Sequence, residues 1–284
     1  MRRTQSLLRL AQCMLAGCVL ATATLAIAKS ITITTNSTID LHDGRLTVHL
    51  KVTNSGDDTA ESVTPVLRFR GQEIRGSARQ MLGPNESFDA TLEAPVGEVP
   101  PGRWPYQLAI DYTDINQYPF QALQASLLTV GSPSPAKVVV PEMSSPPLVT
   151  TGNVTVRVKN VSATVRAATV SLVLPEGLQA ASPVATLSLA PWEERAVTVP
   201  IVNRSVLAGS RYAIFAAVEY DDDGVHQSVL GRGIVEITAA QSLVGSRQRL
   251  LWAAAAVLVV GWLGFVLGRA VRRRAAGPSV REPT

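Results

Sequence analysis

Apolar and polar residues alternate one by one in several short runs of this chain. Residues 46–53 read Leu-Thr-Val-His-Leu-Lys-Val-Thr, and residues 154–159 read Val-Thr-Val-Arg-Val-Lys. A period of two residues is typical of a β-strand with one buried face. Turn-forming pairs such as Asp43-Gly44 and Asp223-Gly224 separate the runs. No stretch between the two ends of the chain has a convincing helical period, so the pattern predicts an all-β body.

The body repeats itself at a nearly constant offset. Asn54 matches Asn160 and Tyr106 matches Tyr212 at 106 residues, and Leu-Gly-Pro at 82–84 matches Leu-Ala-Pro at 189–191. Several matches in the same order indicate a tandem duplication. About seven short strands in about 105 residues predict an immunoglobulin-like β-sandwich for each copy. We therefore expect two tandem sandwiches at 29–130 and 137–238, joined by a Pro/Ser linker at 131–136.

The two ends of the chain differ from the body. Residues 1–28 have a basic start, an apolar run and a small-x-small finish, as in a cleaved secretory signal peptide. Residues 250–268 are 19 residues without a charge, and a helix of this length reaches about 28 Å, close to the hydrocarbon core of a bilayer. An Arg-rich tail at 269–284 follows, which the positive-inside bias places in the cytoplasm. These features predict a single-pass membrane protein with an extracytoplasmic body and a short stem at 239–249.

Two details of the ends leave alternatives open. Leu15-Ala16-Gly17-Cys18 resembles a bacterial lipobox, so Cys18 is an alternative start of the mature protein, as a lipidated residue. Gly264 and Gly268 form a GxxxG pattern in the membrane segment. Such a pattern allows close helix packing and hence a homodimer or a lateral partner, although Gly is common in membrane helices.

Charge and cysteine content exclude some classes of function. Residues 29–248 hold 17 basic and 21 acidic residues. This mildly acidic body lacks the basic footprint of a nucleic-acid-binding protein. Both cysteines, Cys13 and Cys18, lie in the predicted leader. A chain cleaved after Ala28 therefore has no disulfides or thiolate metal sites, and its stability must come from apolar burial.

The order of motifs in each copy points to a family. The second copy has an apolar run ending in Asn160, Leu-Pro-Glu-Gly at 174–177, Leu-Ala-Pro-Trp-Glu at 189–193 and Gly-Ser-Arg-Tyr at 209–212. This order resembles bacterial surface Ig-like modules of the CARDB type and the Ig-like module associated with alpha-galactosidases. The first copy keeps Asn54, Leu-Gly-Pro-Asn-Glu at 82–86 and Tyr106, but lacks the Leu-Pro-Glu-Gly stretch. The resemblance covers most of 31–237, implies an Ig-like fold and leaves the ligand open.

Few residues suit catalysis or metal binding. The three histidines, at positions 42, 49 and 226, have no metal-type spacing to a second His or Cys, and no Gly-x-Ser-x-Gly signature occurs. Asp221-Asp222-Asp223-Gly224 is either a Ca²⁺ loop or a hairpin turn, and its spacing does not match an EF-hand. We therefore predict no catalytic residue, no cofactor and no metal site, and interpret the aspartates as a turn.

Other residues are candidates for contact with a partner. Arg68 and Arg70 belong to an arginine cluster that is either a patch for an acidic partner or protection for an exposed edge strand. Trp104 and Trp192 lie at loop corners, where an aromatic ring either plugs the core or stacks on a sugar. The loop at 114–120 is unusually apolar for a tip, and Ile115, Tyr118 and Phe120 are the predicted contacts for a protein partner.

Together these features predict a non-catalytic interaction or scaffold protein of a bacterial envelope, with an envelope or membrane protein as partner. A short stem suits docking onto a neighbouring membrane complex. The alternative is a glycan-binding or adhesive surface module, which requires exposed aromatic platforms. An enzyme is the third possibility.

Overall fold

The computed structural model describes residues 30–239 and scattered helical positions between 252 and 269. Residues 30–239 form sixteen strands, which confirms the all-β prediction. The predicted leader, Gly264, Gly268 and most of the predicted membrane segment lie outside the described residues. Among the positions described, no helix has the length and apolar character needed to cross a membrane.

The first repeat folds into a β-sandwich of two antiparallel layers. One layer has the strand order β1-β2-β6, and the other has β3 and β7 at its centre with β4, β5 and β8 beside them. The strands are β1 (Ile33–His42), β2 (Arg45–Asn54), β3 (Ala60–Phe69), β4 (Gln72–Arg75), β5 (Arg79–Leu82), β6 (Ser87–Pro95), β7 (Gly102–Thr113) and β8 (Pro119–Val130).

The second repeat builds the same kind of sandwich. One layer has the order β12-β14-β10-β9, and the other has the order β13-β11-β15-β16. The strands are β9 (Val138–Ser144), β10 (Thr151–Asn160), β11 (Arg166–Val173), β12 (Leu178–Ala180), β13 (Val184–Leu189), β14 (Glu194–Asn203), β15 (Arg211–Asp222) and β16 (Val225–Glu236). The Ig-like β-sandwich fold expected from strand number and rhythm is confirmed.

Each sandwich encloses its own hydrophobic core, filled by the apolar positions of the alternating runs. Leu46, Val48, Leu50 and Val52 of β2 are buried in the first core, and Val154, Val156 and Val158 of β10 are buried in the second. The polar residues between them face outward. A period of two therefore maps directly onto the inner and outer faces of each sheet.

The matched Asn and Glu residues of the two repeats make matched hydrogen bonds. Asn54 is fully buried, and its side chain donates to the carbonyls of Asp58 and Leu82 at 2.7 and 3.0 Å. Asn160 is equally buried and donates to the carbonyls of Thr164 and Ala190 at 2.7 and 2.9 Å. The Glu of each Leu-x-Pro-x-Glu turn accepts the backbone N–H three residues earlier, at 2.9 Å in the first copy and 2.7 Å in the second. The repeated polar residues thus close the same corner in both sandwiches.

The two sandwiches share one sheet. Strand β16 of the second repeat pairs in parallel with β7 of the first, at His226 and Gly102. The resulting sheet of nine strands runs from β13 at one end to β4 at the other. A side-chain Cβ at Gly102 would lie 2.3 Å from the His226 carbonyl oxygen, so only glycine allows the two backbones to approach this closely.

Candidate interaction sites

The loop between β7 and β8 presents two apolar side chains to solvent. Ile115 is 75% exposed and Tyr118 is 50% exposed, and we call this pair the apolar tip. Met81 on β5 is 60% exposed and pairs with Glu61 of β3, which is also opposite Thr113 at the end of β7. Exposed apolar side chains are therefore gathered at one corner of the first sandwich.

Polar bonds hold the loop of the apolar tip in place. The Asp114 carboxylate accepts hydrogen bonds from the backbone N–H groups of Asn116 and Tyr118, both at 2.9 Å. Gln117 adopts a φ of 63°, and its side-chain amide donates to the Glu61 carboxylate at 2.7 Å. An Asx-type turn of this kind fixes the backbone locally. The apolar tip is therefore displayed on an ordered loop.

Phe120, the third predicted contact of this loop, lies apart from the apolar tip. Its ring stacks on Tyr112 with centroids 5.6 Å apart and an angle of 20° between the planes. Both residues line a cleft of about 910 Å³ between the two sandwiches, with Tyr212 on the opposite wall. Burial, followed by the nearby Tyr212, raises the pKa of the Tyr112 hydroxyl to about 12. The cleft therefore combines three aromatic rings with a polar rim that includes Arg211.

The predicted arginine cluster lies around the β3–β4 hairpin, and two of its arginines are paired with carboxylates. Arg68 and Arg75 both contact the Glu73 carboxylate, at 2.8 and 3.0 Å, and Arg75 also reaches Asp111 at 3.1 Å. The hydrogen bond from Arg68 is the main cause of the lowered pKa of Glu73. Strand β4 is the outermost strand at this end of the shared sheet. Charged side chains in this place are typical of edge protection.

An aromatic contact joins the two sandwiches where β7 meets β16. The Trp104 ring packs on the first core and stacks on His226 of the second repeat, with centroids 4.0 Å apart and an angle of 17°. The Arg70 guanidinium lies 5.0 Å from the Trp104 ring centroid, and the Trp104 Nε1–H donates to the Pro100 carbonyl at 2.9 Å. Arg70, a predicted partner contact, is thus placed beside this junction.

Side-chain hydrogen bonds reinforce the same junction. The Arg103 guanidinium donates to the Gln227 side-chain oxygen at 2.6 Å and to the Ser134 carbonyl of the linker at 2.7 Å. The Ser228 hydroxyl donates to the Arg103 carbonyl at 2.8 Å, and Gln227 and Ser228 are fully buried. Sequence reasoning missed these residues, because a lone Arg before Trp and a Gln-Ser pair in a strand carry no recognisable pattern.

Asp222 is the one residue of the acidic run that is buried, and it anchors the linker. Its carboxylate pairs with Lys137 and Arg166, each at 2.8 Å, and accepts from the Ser134 hydroxyl at 3.1 Å. Burial acts to raise its pKa, but the hydrogen bonds from Lys137 and Ser134 and the Arg166 charge outweigh it, so the pKa is lowered. Asp223 takes the left-handed conformation of a hairpin turn, with φ of 53°.

The acidic run therefore forms the turn between β15 and β16, as the hairpin interpretation expects. Its side chains diverge, since Asp222 is buried while Asp221 and Asp223 are exposed. Within residues 30–239 and the described helical positions, no group of three or more His, Cys, Asp or Glu side chains could hold a metal ion.

Trp192 lies on the surface in an unusual backbone conformation. It is 62% exposed and has a φ of 63°. The matched position of the first repeat is Asn85, with a φ of 61°. Asn tolerates the left-handed region, whereas a bulky residue there is an outlier. Of the two tryptophans predicted to plug the core or bind a ligand, Trp104 is packed and Trp192 is displayed.

No protein family and no curated protein matches the chain. Among solved structures, the chain is similar to a mutant of Salmonella alpha-2-macroglobulin, with a TM-score of 0.32, 13% identity, and coverage of 74% of this chain and 16% of that one. The native conformation of E. coli alpha-2-macroglobulin gives a TM-score of 0.30 and 12% identity, with coverage of 74% of this chain and 17% of that one. The YadV chaperone gives a TM-score of 0.31 and 10% identity, with coverage of 70% of this chain and 98% of that one. The chain thus spans less than a fifth of the length of the two macroglobulins.

Proposed function

We propose that this chain is a non-catalytic interaction or scaffold protein, held in a bacterial envelope membrane by its C-terminal segment, with both sandwiches outside the cytoplasm. The uncharged run at 250–268 and the arginines after it support the anchor. The absence of cysteine from residues 29–248 fits a body that needs no redox chemistry to fold.

The observation that carries the proposal is the apolar tip. Ile115 and Tyr118 expose apolar surface to water on a loop ordered by Asp114 and Gln117, and burial of this surface against a partner would be favourable. Aromatic and apolar anchors on a pre-ordered loop are typical of the energetic centre of a protein interface. The tip is therefore the surface that contacts the envelope partner, and Met81 extends it.

The junction between the sandwiches supports the interaction role of the apolar tip. Parallel pairing of β7 with β16 and the Arg103–Gln227 bond fix the tip relative to the second sandwich. The stem at 239–249 can reach at most about 35–40 Å. Such a short tether keeps the tip within range of proteins in the same membrane.

Isolation of the full-length protein from its native membrane tests this function. The double variant Ile115→Ser with Tyr118→Ser removes both apolar side chains of the tip and keeps the Asp114 and Gln117 hydrogen bonds that order the loop. It should therefore fold with an unchanged unfolding temperature. One protein that is isolated together with the wild type should be missing from this variant. Val149→Ser is the matched control, because Val149 is 42% exposed in the second sandwich, on a different strand connection. An identical set of co-isolated proteins in all three samples would contradict the proposal.

A glycan-binding role is the second candidate, and the aromatic cleft between the sandwiches favours it. Tyr112, Phe120 and Tyr212 line a space large enough for a small oligosaccharide, and aromatic rings with nearby polar groups suit sugar stacking. Binding of the full-length protein to an array of envelope glycans tests this role. Signal that disappears in Tyr212→Ala and persists in the tip variant would favour the glycan; no signal would leave the protein partner as the sole proposal.

A further inference from the structure

One end of the shared sheet is a strand edge that carries no protecting charge. Strand β13 (Val184–Leu189) pairs with β11 on one side, and the strands of residues 30–239 leave its other side unpaired. Its six residues are Val-Ala-Thr-Leu-Ser-Leu, without charge or proline. The opposite end of the same sheet, β4, carries Glu73 and Arg75. Natural proteins usually blunt exposed edges with such charges, so an unprotected edge of this length is suited to pairing.

The other outer strands of the sandwiches are protected or covered. Strand β1 has Asp40, β6 has Asp89 and Glu93, and β9 has Pro141 and Glu142. Strand β12 has three residues only. Strand β8 is uncharged but packs against β15 and β16 of the second sandwich. Strand β13 therefore differs from the other long edges in being both uncharged and open.

Trp192 adds an independent observation close to this edge. It follows β13 by three residues and is displayed in a strained conformation that its first-repeat counterpart, Asn85, fills at little cost. Strain of this kind at an exposed aromatic residue is a signal of function, since neither the core nor the turn requires the ring. Trp192 lies in the turn that leads from β13 into β14.

We propose that β13 pairs in antiparallel fashion with β13 of a second copy of this chain, about a two-fold axis at Thr186. This register places Thr186 opposite Thr186, Val184 opposite Ser188 and Ala185 opposite Leu187. Leu187 is buried on the inner face, while Val184, Thr186 and Ser188 are exposed, so each inner residue meets an inner residue and each outer residue an outer one.

Such pairing is isologous and closes after two copies. No charged residue meets a like charge, because β13 contains none. Trp192 of each copy lies in the turn that follows β13, just beyond the end of the pairing. The pair forms one sheet of eighteen strands from the two sheets of nine. The proposal does not depend on the apolar tip, which lies in the first sandwich.

Charge substitutions at the axis test the register in the full-length protein in detergent. Thr186→Lys places two like charges opposite each other and should shift the dimer to monomer in sedimentation velocity, and Thr186→Glu should do the same. Mixing the two variants should restore a dimer containing one copy of each. Thr198→Lys is the control, because Thr198 is an exposed threonine on β14, an inner strand, and should leave the dimer intact.

Two further measurements test the proposed pairing even if a charged variant folds poorly. Thr186→Cys treated with a short bis-maleimide should give a species of twice the monomer mass, and Thr198→Cys should not. Trp192→Asn should raise or preserve the unfolding temperature while lowering the yield of that cross-link several-fold. The proposal would be overturned by a monomeric wild type or by cross-linking to a different protein. It would also be overturned by a dimer that persists in Thr186→Lys, as expected of a dimer formed through the membrane helix.

Discussion

At the residue scale, two buried asparagines explain why the repeat could be read from the sequence. Asn54 and Asn160 occupy the same corner and satisfy backbone groups that the strands leave free. A buried amide with several partners cannot be replaced without leaving unpaired groups, so the residue type persists in both copies. The offset of 106 residues was therefore a signal of structure rather than of ligand binding.

Asn160→Ala should lower the free energy of unfolding by about 2–4 kcal/mol, because it removes the amide that donates to the carbonyls of Thr164 and Ala190 and takes away the acceptor of the Ser162 N–H. Urea denaturation of the full-length protein in detergent measures this. Asn36→Ala is the control, since Asn36 is exposed on β1, and it should change the value by less than about 0.5 kcal/mol. An equal loss of free energy of unfolding at both positions would contradict the role of Asn160 in closing the corner of the sandwich.

The lowered pKa of Asp222 predicts a loss of stability in acid. A carboxylate with a depressed pKa in the folded state stabilises the fold above its unfolded pKa, near 3.9, and the contribution is lost as pH falls through the folded value. Asp222→Asn should therefore lower the free energy of unfolding most at pH 7, and by progressively less as the pH falls below the unfolded value of about 3.9. Urea midpoints across this range measure the difference.

Asp223→Asn is the matched control for this pH dependence. Its side chain is 92% exposed and lies 4.0 Å from Lys137, so the substitution should have a small effect that varies little with pH. A pH-independent cost for Asp222→Asn would show that the carboxylate acts through packing and not through its charge.

At the scale of elements, alternation predicted the strands but could not predict how the two sandwiches meet. Residues 46–53 and 154–159 have the period of two and are strands with one buried face. The pairing of β7 with β16 depends on one backbone approach at Gly102, and a single glycine before Arg-Trp-Pro has no period. His226 and Trp104, taken separately from sequence, acquire their meaning only from this approach.

Gly102→Ala should destabilise the protein by more than Gly71→Ala does. Both glycines have positive φ, but a Cβ at Gly102 meets the His226 carbonyl at 2.3 Å, while a Cβ at Gly71 meets nothing within 4 Å. We expect about 1 kcal/mol for Gly71→Ala from backbone strain alone and at least about 2 kcal/mol for Gly102→Ala. Urea denaturation followed by tryptophan fluorescence measures both free energies of unfolding. Equal costs would mean that the two strands do not pair closely.

At the scale of the whole molecule, the two sandwiches form one unit with the apolar tip at one corner. Most inter-domain contacts are small enough to permit motion, but here a shared sheet, a stacked ring pair and side-chain hydrogen bonds act together. The tip could be predicted because Ile115 and Tyr118 stand out in a loop, whereas the aromatic cleft could not, since its residues come from both repeats. Sequence reveals contiguous surfaces more readily than surfaces assembled by domain packing.

Arg103→Ala should loosen this unit. Removing the guanidinium leaves the fully buried Gln227 oxygen without that donor and removes the hydrogen bond to the Ser134 carbonyl of the linker. Small-angle scattering should show a larger and broader distribution of dimensions, and unfolding should separate into two transitions. Arg204→Ala, at an exposed arginine bonded to Gln179, should leave both readouts unchanged. A single transition and unchanged scattering in Arg103→Ala would argue against a rigid junction.

The most direct test of the proposed function is site-specific photo-cross-linking in the native envelope, with the photoreactive residue placed at Ile115 and, in a separate chain, at Val149. We expect one dominant cross-linked protein from position 115, which is absent from position 149 and is lost when Tyr118 is also changed to Ser. Cross-linking from position 115 that yields no protein, or the same products as position 149, would contradict the account of this molecule as an interaction protein that docks through its apolar tip.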